Sequence, residues 1–367
     1  MSLSPPFRAD HVGSLLRPAG LLDLRQRVAR GQASQDELTK AENAAIAEAA
    51  QLQQSVGLKM ATDGEFRRRS YHSYFYNQLG DLAPDAIGGD ANQVVARGAQ
   101  PKARIGSKVK WTHPIHVEDF KLLRSVTAAV PKLTIPGPCA LHFRGGDAAV
   151  TATAYDDVDE FWDDIVTAFR SELNALAAAG CTYVQIDETA FAKFGDPDVQ
   201  AELAARGDDW SSLIDRYIAV TNQVLKDLPD TLHMAMHLCR GNRGGQWHSQ
   251  GSYDTVAEKL FNDLNIPTYF LEYDTPRAGD FSPLRFVPPG KTIVLGLIST
   301  KTSELEEKDV IRRRIGEAAH FVAMDNLALS PQCGFASVET GNPISPEMQA
   351  KKLRLVVELA HETWDSA

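Results

Sequence analysis

The feature that most constrains this chain is alternation. Eight short apolar runs of strand length, at residues 9–16, 58–65, 132–138, 181–188, 233–239, 268–274, 292–299 and 327–334, are separated by longer stretches. Amphipathic helical spacing fills most of those stretches, at 18–55 (broken near Gly31), 117–130, 156–179, 209–228, 253–264, 304–322 and 346–363. Gly180 and Pro229 supply stops for two of these helices. Strand alternating with helix predicts a parallel sheet, and eight such units predict an α/β fold of the (β/α)8, or TIM, barrel type. A doubly wound sheet is the competing arrangement, but no G-x-G-x-x-G follows a strand to mark a nucleotide crevice. The stretch at about 66–116 is too long for an ordinary βα loop and is expected to form a cap-like excursion after the second strand, with strands of its own. No internal repeat or low-complexity linker divides the chain, so residues 1–367 are expected to form one domain.

Composition narrows the function. With 43% hydrophobic residues the 367-residue chain can bury a large core, and its net charge of −10 argues against nucleic acid or an anionic membrane surface as partner. No apolar run reaches membrane-spanning length, and the first residues lack the basic and apolar regions of a secretion signal. The four cysteines, Cys139, Cys181, Cys239 and Cys333, are widely spaced and show no disulfide framework. A cytoplasmic enzyme with reduced thiols is expected, which leaves those thiols available as ligands.

In a barrel of this type, the C-terminal ends of the strands form the active face. The polar residues there are Ser14, Asp63, Glu65, Asp187, Glu188, His237, Cys239, Glu272, Ser299 and Cys333. His237 and Cys239 share one face of their strand, because alternate residues point the same way. With Glu272 from the sixth strand and Cys333 from the eighth they make a His, Cys, Glu, Cys set suited to Zn2+. Two thiolates leave such an ion a modest Lewis acid for water but a good holder of an incoming thiol, which coordination deprotonates. The implied chemistry is alkylation of a thiol through a zinc-bound thiolate nucleophile. The plainer reading is that Cys333 only packs and Glu272 pairs with Arg277.

The chain resembles the catalytic barrel of the cobalamin-independent methionine synthase family. The resemblance rests on Asp10-His11-Val12-Gly13-Ser14, Asp63-Gly64-Glu65, Gln185-Ile186-Asp187-Glu188, His237-Leu238-Cys239, Glu272 and Gln332-Cys333-Gly334, in the family's order and across nearly the whole chain. It implies zinc ligation by His237, Cys239, Glu272 and Cys333. It also implies homocysteine contacts at the Val12, Gly13 and Ser14 turn, at Glu65 and at Asp187, whose carboxylates would suit an α-ammonium. Two departures stand out. Ile298 occupies the place of the family's proton-donating histidine, so the catalytic proton donor is unassigned. Leu141-His142-Phe143-Arg144 replaces the tryptophan segment after the third strand.

The resemblance extends to short single-barrel relatives of the synthase. One branch of that superfamily, the epoxyalkane:coenzyme M transferases, opens epoxides with a sulfonated thiol. Zinc-dependent methyl transfer to homocysteine, giving methionine, is therefore the leading expectation, with a folate, a corrinoid protein or another molecule as alkyl donor. The first alternative is epoxide opening by a zinc-bound sulfonated thiol, with Arg67, Arg68, Arg69, Arg240 and Arg243 as candidates for its anionic tail. The second is a non-catalytic thiol-binding protein. His113, His116, His142 and His248 are candidate replacements for the lost proton donor, and Tyr71, Tyr74, Phe75 and Tyr76 a candidate aromatic lid or excursion core.

Overall fold

The computed structural model describes residues 5–80 and 105–364. Its strands are β1 (Met60–Ala61), β2 (Val130–Pro131), β3 (Leu133–Pro136), β4 (Tyr183–Asp187), β5 (His233–Leu238), β6 (Thr268–Glu272), β7 (Thr292–Ile298) and β8 (Leu327–Pro331). Strands β3 to β8 pair in chain order and all in parallel, and β1 pairs in parallel with β2. β2 and β3 form one continuous strand position interrupted at Lys132, whose N–H still donates to the Ala61 carbonyl at 2.8 Å.

The remaining position is filled by the chain around Ala9. The first run expected as a strand is reduced there to a single parallel bridge, Ala9 to Leu329. Across the other side of this segment, Leu15 N–H donates to the Gly64 carbonyl at 3.1 Å and Thr62 Oγ1 donates to the Gly13 carbonyl at 2.7 Å. These contacts join the two ends of the sheet into the expected (β/α)8 barrel.

Strand parity divides the apolar residues into two layers. Phe7, Val12, Met60, Tyr183, Ala235, Phe270, Val294 and Ala328 form a separate inner cluster. Their neighbours one residue away, such as Val184, Met236, Leu271, Ile293 and Leu329, belong to the outer layer packed against helices. Full burial of such side chains contributes about 1.5–3 kcal/mol each. At the floor of the inner layer, Lys132 Nζ is 2.9 Å from Asp10 Oδ1, 2.7 Å from the His11 carbonyl and 4.0 Å above the Phe270 ring.

The helices form where a cap and a buried face coincide. The helix Gln35–Ser55 starts on a capping box between Ser34 and Glu37 and buries Leu38, Ala45, Ile46 and Ala49. Its Gln53 holds the chain after β1, accepting from Thr62 N–H at 2.8 Å and donating to the Thr62 carbonyl at 2.9 Å. The structure adds helices at Ala140–Thr151 and Pro197–Ala205, which were not expected. The first is broken by Gly146 at φ 65°, so its spacing never builds a clean helical period. The expected helix at 117–130 ends at Val126, because the chain extends at Thr127 to enter β2. Of the expected excursion, the described parts carry the one-turn helix Ser73–Tyr76, and residues 81–104 lie outside the described residues.

Candidate metal centre

The inward parity that places Ala235 in the inner layer carries on to His237. Cys239 follows one residue beyond β5, and Cys333 two residues beyond β8. The ligand atoms of His237, Cys239 and Cys333 all lie within 4.8 Å of one another, and all three residues are buried. Neither nitrogen of His237 has a hydrogen-bond partner among the described residues. Leaving two buried ring nitrogens unsatisfied is unfavourable unless a ligand takes one of them. The neighbouring Cys333 thiol, with His237 adding to the effect, holds Cys239 well below the ordinary thiol range; Cys333, facing that thiolate, is pushed up. The set forms a possible metal site of three donors.

Glu272, at the end of β6, is not brought into this group. Its Oε2 accepts from Arg240 N–H at 2.6 Å, and its Oε1 accepts from Lys301 Nζ at 3.1 Å and pairs with Arg277. Burial alone would raise its pKa, but Lys301, Arg277 and Arg240 outweigh that and hold it at about 2. The plainer expectation, a pair with Arg277, therefore describes its contacts, while its charge still faces both thiols.

The acids lie on the preceding strands. Gly64 and Glu65 both adopt left-handed backbone, at φ 64° and 59°, an uncommon conformation for a glutamate. The turn is fixed by Glu65 N–H donating to Asp63 Oδ1 at 2.8 Å. Glu65 Oε1 accepts from Thr134 Oγ1 at 2.9 Å, and its buried Oε2 has no partner among the described residues. Burial, with Glu65 close by, pushes the Asp187 carboxyl up to about 7 against the opposing pull of His237. Gln185 steadies it, donating to Asp187 Oδ1 at 2.6 Å and to the Val12 carbonyl at 2.7 Å. Val12 itself turns its side chain into the inner layer. Gly13 allows close approach: a Cβ there would meet Thr134 at 2.7 Å and Glu65 Oε1 at 2.9 Å. Ser14 packs against Gly334, where a Cβ would overlap Ser14 Oγ.

Several residues that hold the site carried no clear signal in the sequence. Thr300 Oγ1 and Asn242 Nδ2 both donate to the Gly334 carbonyl, at 3.0 and 2.9 Å, tying the loop after Cys239 to the loop after Cys333. Arg240 stacks 4.1 Å from the Tyr253 ring and donates to the carbonyls of Gly251 and Glu272, so it is a structural arginine. Arg67 pairs with Glu42 and Asp119 at 2.9 and 2.8 Å, and Arg68 donates to Thr134. Of the five candidate arginines, these three are committed elsewhere, Arg69 is exposed, and Arg243 is half-buried.

The other candidates separate equally plainly. Ile298 is buried in the outer apolar layer and offers no proton donor. His113 is exposed, His116 bonds Asp119, and His142 bonds Tyr217 and Asp147. Phe75 and Tyr76 are core, packed on Phe169, and Tyr74 stacks on His116, as expected of a small core rather than a lid. Tyr71 is the exception: its hydroxyl is 3.4 Å from Arg144, and Cys239 is among the charges it senses. Among the described residues, no helix is long and apolar enough to cross a membrane.

Residues 8–362 match the family described as cobalamin-independent synthase, catalytic domain. The chain is 40% identical to the uncharacterized protein YxjH of Bacillus subtilis (strain 168), over 98% of this chain and 95% of that one. It is 22% identical to the methionine synthase of Pyrococcus abyssi, over 90% of this chain and 86% of that one. Among solved structures, it superposes on the putative vitamin-B12 independent methionine synthase from Listeria monocytogenes with a TM-score of 0.75 and 35% identity, covering 99% of each chain. By its strand-end residues, its barrel and these matches, the chain belongs to the cobalamin-independent methionine synthase family, in the part that forms the catalytic domain.

Proposed function

We propose that this protein is a zinc-dependent methyltransferase that alkylates a thiol, with homocysteine as acceptor and methionine as product. The observation that carries the reading is the buried trio His237, Cys239 and Cys333, with unpartnered imidazole nitrogens, at the strand ends of a family barrel. One imidazole and two thiols within 4.8 Å of one another fit zinc better than magnesium or calcium, which prefer oxygen ligands. A zinc ion held there supplies one thing, a lowered pKa for the acceptor's thiol, so that it reacts as a thiolate at neutral pH.

The chain's own residues do the rest. Glu65 and Asp187 are buried acids that sense each other, Asp187 also senses His237, and Glu65 Oε2 is free to accept from an α-ammonium. Ser14, pinned against Gly334, together with the Val12 and Gly13 turn, would carry the amino-acid backbone of homocysteine. Glu272, paired with Arg277 and Lys301, would add a fourth donor to a metal held by the trio if those pairs loosened, and otherwise contributes its fixed negative charge to the site. The methyl donor is not assigned, and Ile298 leaves the proton for its departing group to another residue.

The test is metal analysis combined with thiol titration. One zinc per chain, gaining a sulfur ligand by X-ray absorption when homocysteine is added, is the expected result. Cys239→Ser and Cys333→Ser should both lose zinc. A wild-type protein that holds no zinc, or whose zinc spectrum ignores homocysteine, would sink the proposal.

A further inference from the structure

Beside the thiols lies a group of basic side chains that this chemistry has not used. Arg144 follows β3, Lys193 closes the short helix Ala190–Lys193 after β4, Arg243 and His248 lie in the loop after β5, and His72 follows β1. Four successive βα connections therefore converge. The Lys193 ammonium stands 5.5 Å over the Phe143 ring, and the Arg144 guanidinium is 3.4 Å from the Tyr71 hydroxyl. Tyr71 and His72 stack edge to face at 4.7 Å, and Tyr71 N–H donates to the Ser337 carbonyl at 3.0 Å. Ser337 Oγ in turn is 3.9 Å from Cys333 Sγ, which sets the cluster at the edge of the thiol centre.

Lys193 is unusual within this protein. Three lysines are buried among the described residues: Lys132 has Asp10 at 2.9 Å and Lys352 has Glu306 at 3.0 Å. Lys193, only 3% exposed, forms no ion pair with a carboxylate among the described residues, and neither does Arg144. Glu188, the carboxylate that acts most strongly on Lys193, spends its oxygens on the N–H groups of Cys139 and Ala190, at 3.3 and 3.0 Å. In a chain of net charge −10, leaving a buried ammonium beside a guanidinium without a counter-ion is unfavourable unless a ligand brings one.

We propose that Arg144 and Lys193, flanked by Arg243, His72 and His248, form a binding site for a small oxyanion, namely the phosphate, sulfonate or carboxylate end of the alkyl donor. The mutual repulsion is visible in the groups themselves. Burial and the charge of Arg144 bring Lys193 down to about 8, and burial with Lys193, Arg144 and Arg243 brings His248 down to about 3. An incoming oxyanion relieves this repulsion and gains charge-assisted hydrogen bonds. The assignment to the donor rests on the proposed function. The acceptor's amino-acid end is placed on Ser14, Glu65 and Asp187, and the donor must reach the same sulfur from the loops that remain. Arg144, which stands in the segment that departs from the family pattern, lies on one of those loops.

The experiment is calorimetric titration of the zinc-containing protein with inorganic phosphate, with homocysteine and with both. Phosphate should bind wild type, and Arg144→Gln or Lys193→Gln should weaken it roughly 10-fold or more each. Lys193→Arg, which keeps the charge, should retain binding, and homocysteine affinity should be the same in all four proteins. Phosphate and homocysteine should bind together. Absence of phosphate binding, or binding indifferent to both neutral variants, overturns the site. Competition between phosphate and homocysteine, or loss of homocysteine affinity in the variants, overturns the assignment to the donor and gives the cations to the acceptor's carboxylate. Failure of homocysteine to bind in every protein, with phosphate behaving as expected, refutes the thiol reading and leaves the oxyanion site standing.

Discussion

Glu65→Gln exchanges one carboxylate oxygen for an amide nitrogen at a position that is 2% exposed. Oε1 is already satisfied by Thr134 at 2.9 Å, and the Thr134 hydroxyl can donate equally well to a glutamine oxygen. The amide nitrogen then occupies the place of Oε2, the oxygen without a partner, where it would face an α-ammonium with donors instead of an acceptor. The backbone strain at φ 59° is the same for both residues. A hydrogen bond to a charged group contributes about 1.5–3 kcal/mol. Its loss corresponds to roughly a 10- to 150-fold rise in Kd. The assay is calorimetric titration with homocysteine and, in parallel, with its analogue lacking the amino group, with zinc content measured on each preparation. Homocysteine should lose affinity by that factor, the analogue should not, and zinc should stay bound. Equal losses for the two thiols would show that Glu65 acts through the shape of the site, and no loss for either would refute the ammonium contact outright.

Other perturbations test neighbouring parts of the reasoning. Gly334→Ala forces a methyl group into Ser14 Oγ, and overpacking of this kind costs about 1–3 kcal/mol; wild-type denaturant stability would contradict the close approach. Lys132→Met strands Asp10 in the barrel floor with only the Tyr183 hydroxyl and the His11 N–H, and breaking a buried pair costs about 3–5 kcal/mol. The double variant Lys132→Met with Asp10→Asn should regain most of that loss, by chemical denaturation. Sulfate binding at Arg144 and Lys193 should be full below pH 8 and weaken above it, because Lys193, lowered to about 8 by burial and Arg144 against Cys239, Glu188 and Glu202, must carry its proton to hold an anion. In Lys193→Arg that pH dependence should vanish; if it persists, another group is titrating.

Strand parity made much of the site legible, because it depends only on alternate residues along short apolar runs. Asp187, His237 and Glu272 each follow an inward position by two, so the sequence could place them on the active face without knowing any loop. Cys333 does not share that parity, standing an odd number of residues after the inward Ala328, and only its place just beyond the end of β8 marked it. What parity cannot say is where a charge at a strand end finds its partner. Glu272 meets Lys301, which comes from the loop after β7 and has no fixed spacing to it. Arg240 looked like a ligand for an anion because it follows Cys239, yet its guanidinium turns back onto Tyr253 and backbone carbonyls. Arg144 and Lys193 were missed for the converse reason. They stand on helical segments whose patterns are short or broken by glycine, so nothing in the local spacing separated them from surface cations.

The charges around the thiols are sorted by their distance past the strand ends, and that sorting bears on which half of the reaction the chain specifies most tightly. Asp63 and Glu65 stand in the turn directly after β1 and Asp187 is the last residue of β4, with Arg68 at 3.9 Å from Glu65. Arg144, Lys193 and Arg243 come from the ends of the connections that reach further from the strands. An ammonium is favoured on the first set and an oxyanion on the second, and in a buried mouth neither preference is screened as it would be in water. A two-substrate transfer needs this asymmetry, since a site of uniform sign would let either molecule occupy the other's place. On the proposed reading, the acid set and the metal donors keep the family's acceptor half, while the cations build the donor half without the family's tryptophan segment or histidine. The donor would then be selected by its charged end at Arg144 and Lys193 rather than by a flat ring stacked on an aromatic side chain, and a neutral analogue of a charged donor should be the poorest substrate in any panel.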